Sequence, residues 1–369
     1  MLNEDTRTEG KERREKLRKI EDYQKDLEHG PQKSGLKDTS VFNDVDNFHI
    51  YENDYFDILH DISEGALEFA LEEILYHFII KIKRLDIDIF NDRLKTFNYT
   101  ANGFSNKPPP ISFGNVNIKK FSLSGSETTT LFLILPFLIG DLIDLNSDVW
   151  QFYLVLREIL DLVMAKDIEM KSTFLLDSLV EEHHKMFVTL FRRLRPKQHN
   201  MIHYGSCTRK RGPLSNINTV RYEANHAFFK TAAKSTYSRE EITYTLCLKD
   251  QYSFHYNTKF GNGLKSRIES GPQSSVPTFV TGKYSFMDEH TFQCNWVQVR
   301  GFKYSIGTCL LLSLDEKQFP IFGKVDNIFA GQRELISLSC KLLDIENYDR
   351  DMNAFVVHWT GKNEIIENI

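Results

Sequence analysis

Cysteine is scarce in this chain and scattered. The five residues are Cys207, Cys247, Cys294, Cys309 and Cys340, an odd number, far apart, with no CxxC among them. That excludes a disulfide framework and a self-contained four-cysteine zinc site, and points to reduced thiols in an intracellular protein. Long apolar runs are missing too. The longest, LFLILPFLIG at 131–140, is followed by Asp141. A bilayer span needs about 20 apolar residues, so this run reads as a core helix. The start, MLNEDTRTEGKERREKLRK, has no apolar segment of a secretory signal. The expectation is a soluble protein of the nucleus or cytoplasm, neither secreted nor membrane-spanning. No P-loop, GxGxxG, GxSxG, HExxH or two-Cys two-His finger occurs. Nothing in the pattern suggests a nucleotide cofactor or acyl-enzyme chemistry.

What is present is a globular composition. The chain has 369 residues, 41% of them hydrophobic, with 28 phenylalanines. That length suits about two domains. Residues 1–30 mix eight Lys and Arg with nine Asp and Glu. They read as a charged helical tail without stable packing. Residues 31–56 read as loop. A packed helix is expected over 64–83, where Leu67, Ala70, Leu71, Ile74, Leu75, Phe78 and Ile79 recur at helical spacing. Residues 86–125 look irregular, with Pro108, Pro109 and Pro110 barring helix locally. Helical patterns then cover 126–145, 147–166 and 171–194. A short helix opens at Arg195-Pro196 and is expected to stop at Gly205. A loop to Asn218 and helices over 219–234 and 239–255 follow. Residues 262–275 read as linker. From 277 the pattern alternates, as in TFQCNWVQV, and five short strands suggest a barrel or sandwich. The expected class is α+β: a mainly α-helical core over 31–260, then a small antiparallel β module over 277–362.

The chemistry concentrates at 192–230. Between His183 and Tyr222 there is no Asp or Glu, yet nine Lys or Arg: Lys185, Arg192, Arg193, Arg195, Lys197, Arg209, Lys210, Arg211 and Arg221. The whole chain sums to −5, so the rest is strongly acidic. A local excess of positive charge usually faces an anion, and all of these but Lys185 are candidates for the phosphates of a DNA backbone. His199 and His203 are four apart on a helix, so their rings leave one face. That spacing is a zinc half-site, or a structural or phosphate-contacting pair. Glu223 is placed at the edge of a stripe of Val220, Ala224, Ala227, Phe228 and Thr231, half-buried. It either joins an intrahelical ion pair with Lys230 or offers a carboxylate to a divalent ion. Asp57, His60, Asp61 and Glu64 stand at the mouth of the first core helix. Capping explains Asp61 and Glu64; Asp57 and His60 can hydrogen-bond or bind metal. Of His183 and His184, about 100° apart on a helix, at most one is expected to face inward.

Four stretches taken together resemble the CACTA (EnSpm-type) transposase family. They are FHIYENDYFDILHDISEG, LPFLIGDLIDLNSDVWQFYLVLREILDLV, LVEEHHKMFVTLFRRLRPKQHNMIHY and GPLSNINTVRYEANHAFFK. The resemblance covers about residues 17 to 256; the β-rich end is similar, less specifically, to the C-terminal module of the animal members. It implies a cut-and-paste transposase with a split ribonuclease-H-like core and a DDE triad on two Mg²⁺ ions, which drive in-line attack on phosphodiesters. By that resemblance Glu223 is the third acid. His199 and His203 match a histidine pair that joins an upstream CxxC on zinc, and Asp57 and His60 match a DxxH signature. The first two aspartates and the CxxC would fall before residue 1. The expected protein is therefore the C-terminal part of such an enzyme, catalytically incomplete by itself, with a DNA-facing basic surface. Alternatives are a subunit of an active Mg-dependent transposase, its missing acids supplied by a partner chain, and a non-enzymatic interaction scaffold.

Overall fold

The computed structural model describes residues 19–53, 56–99, 104, 106–237, 240–259, 269–276, 291–299, 302–317, 319–331 and 336–367. The chain divides into two compact units, residues 1–94 with 108–222 and residues 95–107 with 223–369. The architecture is α+β, helices first and antiparallel sheets in the C-terminal part.

The first unit is built of helices. α1 is Ile20–His29, and a single turn at Pro31–Ser34 follows. The described part of the charged tail does pack. Tyr23 is buried, and its hydroxyl oxygen accepts a 2.8 Å hydrogen bond from the Ser40 amide. One buried aromatic supplies the anchor that the charge pattern hides; residues 1–18 lie outside the described set.

Next comes a helical run in three pieces, a π-helical stretch Leu59–Ala66, α2 at Leu67–Leu75 and a second π-helical stretch Tyr76–Lys81. The apolar stripe read from the sequence is its buried face. Residues 86–125, expected to be irregular, include α3 at Ile87–Thr96 and α4 at Phe113–Ile118. α3 buries Phe90 and Leu94, a short stripe that the neighbouring prolines mask.

The centre of the unit is α5 at Gly125–Ile139 and α6 at Asp148–Met164. α5 starts with a capping box: Ser124 and Glu127 satisfy each other's backbone amides. Ser147 caps α6. Trp150 stacks on Tyr153 at 4.5 Å, and the buried Tyr153 hydroxyl donates to the Phe132 carbonyl at 2.9 Å. α7 at Met170–Phe191 lays His183 and Phe187 against Phe152.

After Arg195 come α8 at Pro196–Asn200, a 3₁₀ turn Met201–His203, and α9 at Tyr204–Arg211. Gly205, expected to stop the helix, lies inside α9. The reason is close packing on α7: a Cβ there would meet the Asp177 carboxylate at 2.0 Å and the Thr173 carbonyl at 2.8 Å. Glycine lets two backbones approach, and the helix runs on to Gly212, whose φ is 84°.

The division between units falls inside α10, Val220–Lys234. α11 is Ile242–Lys259. The stripe expected to bury α10 does not: Val220 and Phe228 are exposed, and Ala232 is its one buried side chain among those described.

The β part begins inside the expected linker. β1 at Glu269–Ser270 and β2 at Gln273–Ser275 pair with β4 at Trp296–Val299 and β3 at Phe292–Cys294. β5 is Phe302–Ser305, β6 Cys309–Leu314, β7 Pro320–Ala330, β8 Ile336–Asp349 and β9 Ala354–Glu367. One sheet has the order β1-β4-β5; the other runs β2-β3-β7-β8-β9, with β6 also on β7. Val297 and Val299 of the first share a buried cluster with Cys294, Val325, Ile328, Leu338 and Cys340 of the second. The module is thus a sandwich of two sheets. Its last strands are long, and β-bulges shift their register between Val325 and Asn327 and between Lys341 and Leu343.

Candidate functional site

In the first unit the fold brings two of the sequence-predicted groups together. The π-helical stretch Leu59–Ala66 carries His60, Asp61 and Glu64, and Asp57 stands two residues ahead of it. α8, packed on it, carries Lys197, His199 and Asn200; the 3₁₀ turn that follows ends on His203, and α9 begins with Tyr204. A π-helical stretch widens the turn and re-aims its side chains; here it turns Asp61 inward.

Asp57 is the hub. Its carboxylate accepts from the Thr219 amide at 3.1 Å, from the Thr219 hydroxyl, and from the Leu59 amide at 3.2 Å. It is also hydrogen-bonded to His60 Nδ1. Burial pushes the carboxyl up, but the bonds from Thr219, His60 and Leu59 outweigh it and hold it below the usual carboxylate range. His60 is half exposed, with Nε2 at 3.9 Å from Glu64.

Asp61 is buried and accepts from Asn200 Nδ2 at 2.9 Å. Desolvation raises its pKa in spite of that bond. The Tyr204 hydroxyl is enclosed without a hydrogen bond of ordinary geometry, and burial together with Asp61 and Asp57 keeps it protonated. His203 stacks flat on Phe56 at 5.0 Å, and His199 meets His203 edge-on at 5.5 Å.

His183 and His184 both turn inward. Their helix is covered on two sides, by Phe152 from α6 and by the Gln198 backbone from α8. Both His183 nitrogens and His184 Nε2 lack hydrogen-bond partners. Desolvation depresses both rings, His184 to about 4.

The basic candidates separate into two groups. Arg195 lies over the Phe69 ring at 3.9 Å and reaches the buried Glu72 at 3.4 Å. Burial lifts Glu72 to about 7 even with that cation beside it. Lys197 donates to the Glu64 carbonyl at 2.6 Å and threads past Gly65, where a Cβ would meet its Cδ at 2.9 Å. Arg209 binds Asp177 at 2.9 Å and Thr173 Oγ1 at 3.1 Å over the Phe174 ring. Arg211 donates to the Glu52 carbonyl. These four hold the segment onto the unit. Arg192 and Arg193, at the end of α7, and Lys210, at the end of α9, are exposed. Arg221 is in α10, in the first unit.

Glu223 belongs to the second unit and is exposed rather than half-buried, in the first turn of α10. Among the described residues no group of three or more His, Cys, Asp and Glu is arranged to hold a metal ion. The metal fit fails on chemistry as well. Zinc wants four ligands, and His199 with His203 supplies two. The Asp57 oxygens already receive bonds from Thr219, Leu59 and His60.

Sequence reading missed Phe56, Glu72, Asn200, Tyr204 and Thr219. Thr219, just ahead of a helical pattern, carries a visible capping signal; the others have no local signature. No family model, curated protein or solved structure matches the chain. Among the described residues no helix is long and apolar enough to cross a membrane.

Proposed function

We propose that the protein binds the sugar–phosphate backbone of duplex DNA through its first unit, as a transposase-derived protein that contacts DNA without cutting it alone. One observation carries this reading. In an acid-free segment Arg195, Lys197, Arg209 and Arg211 fasten the chain to the unit, while Arg192, Arg193 and Lys210 project into solvent. A segment fixed by half of its cations presents the rest without paying for ordering them at binding. Rigidly held cations near a phosphate lattice release counterions, and that release drives sequence-independent association.

The resemblance to CACTA transposases supports the choice of DNA over another polyanion. The carboxylates support binding over cleavage: Asp57 is consumed by local hydrogen bonds and Asp61 is buried. The test is fluorescence anisotropy of the full chain with duplexes of unrelated sequence. Binding at about 50 mM salt should weaken with a log–log slope of roughly −3, about −0.9 for each of the exposed cations. A chain with no affinity for any duplex at that salt contradicts the reading.

A further inference from the structure

A buried acid lies directly behind the basic segment. The Glu72 side chain is 5% exposed, whereas its cation, Arg195, is 42% exposed. Arg195 Nη2 donates to Glu72 Oε2 at 3.4 Å, and the guanidinium lies over the Phe69 ring at 3.9 Å. One partner of the pair is fixed in the unit; the other stands at the rim, ahead of α8. Glu68 is one turn earlier on α2 and shares the face of Glu72.

The charged groups that act on Glu72 are Arg195 and Glu68, and the Phe121 backbone is hydrogen-bonded to it. Glu68 feels Lys197 first, then Arg195, then Glu64. Lys119, just after α4, is taken by Glu73 at 2.6 Å. α5 and α6 also pack on α2; of their charged groups Glu127 is bonded to Ser124 and Arg157 to Asp161. Two carboxylates thus lean on one guanidinium, and the buried one is the costlier to keep ionised. Burial first, and the Glu68 charge after it, lift Glu72 to about 7 against the pull of Arg195.

We propose that Glu72 is a proton-operated latch on Arg195: ionised, it holds the guanidinium against α2, and protonated, it releases Arg195 to join the exposed cations that contact phosphate. The phosphate clause rests on the DNA-binding reading; the latch does not. Arg195 follows the exposed Arg192 and Arg193 by three and two residues, so the freed guanidinium extends their cluster. Glu68 does not recapture it, because Lys197 is its leading cation. The folded value lies above the ordinary 4.5, so the latch is open below about pH 7 and closes as pH rises past it.

The experiment measures duplex affinity of the full chain by anisotropy at about pH 8.5 and about pH 6, on either side of the transition. Histidines also gain charge over this range, so the readout is the ratio of variant to native at each pH. Glu72→Gln should bind about fivefold tighter than native at the higher pH, with a log–log salt slope steeper by about 0.9, one added phosphate contact. At the lower pH the two should agree within about twofold, both latches being open. Glu72→Gln/Arg195→Gln should lose both the gain and the added slope. Circular dichroism checks that helix content is kept. A second readout needs neither DNA nor that variant. In the free native chain the Arg195 Nε–H signal in NMR, identified by its loss in Arg195→Gln, should shift with a midpoint of about 7. Glu68→Gln removes the like charge and should move that midpoint to lower pH. A DNA-binding chain whose Glu72→Gln variant matches native at both pH values overturns the inference, as does a double variant that keeps the gain. A signal that does not titrate, or a midpoint indifferent to Glu68→Gln, overturns the latch itself. A chain with no duplex affinity but a titrating Arg195 signal contradicts the DNA-binding reading and leaves the latch standing.

Discussion

Asp57 ties down Thr219 twice, accepting from its amide and from its hydroxyl, across most of the first unit's sequence. The same carboxylate caps the Leu59 amide and holds His60. It thus joins the entrance of the first core helical run to the entrance of α10. Asp57→Ala should cost about 2 kcal/mol of stability, the loss expected when a partly buried amide loses its charged acceptor. Asp57→Asn, which keeps one acceptor oxygen, should cost about half as much. Urea titration followed by circular dichroism measures both. The folded carboxyl lies below its ordinary value of 3.8, so its contribution is present above that pH and fades as pH falls through the folded value.

Glu72 and Arg195 give the opposite sign. Glu72 titrates at about 7 in the folded protein against an ordinary 4.5. Its contribution is full below about pH 4.5 and is lost as pH rises through 7. Glu72→Gln should flatten the stability profile between pH 5 and 8. Arg195→Ala leaves a buried carboxylate without its cation, and should cost about 2 kcal/mol at pH 8, discounted for the half-exposed guanidinium, and clearly less at pH 5.

The buried histidines predict an acid limit. His184 titrates at about 4 when folded, and His183 is also driven well below its ordinary 6.5. Unfolding lets both take up protons, so stability should fall as pH drops from 6.5 towards 4. His183→Leu fills the same apolar pocket against Phe152 without a titrating group. It should be more stable than the native chain at pH 5 and lose that advantage near pH 8. Equal effects at the two pH values would show that protonation is not the cause.

Gly205→Ala tests the close approach of α9 to α7. The added methyl runs into the Asp177 carboxylate and the Thr173 carbonyl. Moving Asp177 also disturbs its pair with Arg209. The expected cost is about 3 kcal/mol, at the upper end for overpacking, read as a lowered urea midpoint.

Periodicity made the helical centre of the first unit legible: α6 and α7 lie where the stripes put them to within three residues, while α5 ends at Ile139, six residues short of the expected end. Gly205 misled because glycine has two uses, ending a helix or letting two helices touch, and only the tertiary neighbour decides. His183 and His184 misled because a wheel assumes one covered side, while α7 is covered on two. α10 failed in the other direction: Val220 and Phe228 sit at helical spacing, yet nothing among the described residues covers them. Of the candidate site, the types and spacings of Asp57, His60, Asp61, His199 and His203 were visible in sequence. Their partners Thr219, Phe56 and Asn200 were not, since each contact joins segments far apart along the chain. Which cations of the basic segment face solvent was equally hidden, because Glu72 and Asp177, which claim two of them, lie outside it.

The central proposal is that the exposed Arg192, Arg193 and Lys210 each contact DNA phosphates. The most direct measurement compares duplex affinity of the native chain with two variants of equal net charge. One is Arg192→Glu/Arg193→Glu/Lys210→Glu; the other reverses three exposed lysines elsewhere, Lys33→Glu/Lys37→Glu/Lys317→Glu. The account predicts that the first variant loses at least about a hundredfold in affinity at about 50 mM salt and flattens the salt dependence, while the second stays within a few-fold of native. Equal losses in both, or none in the first, would contradict it.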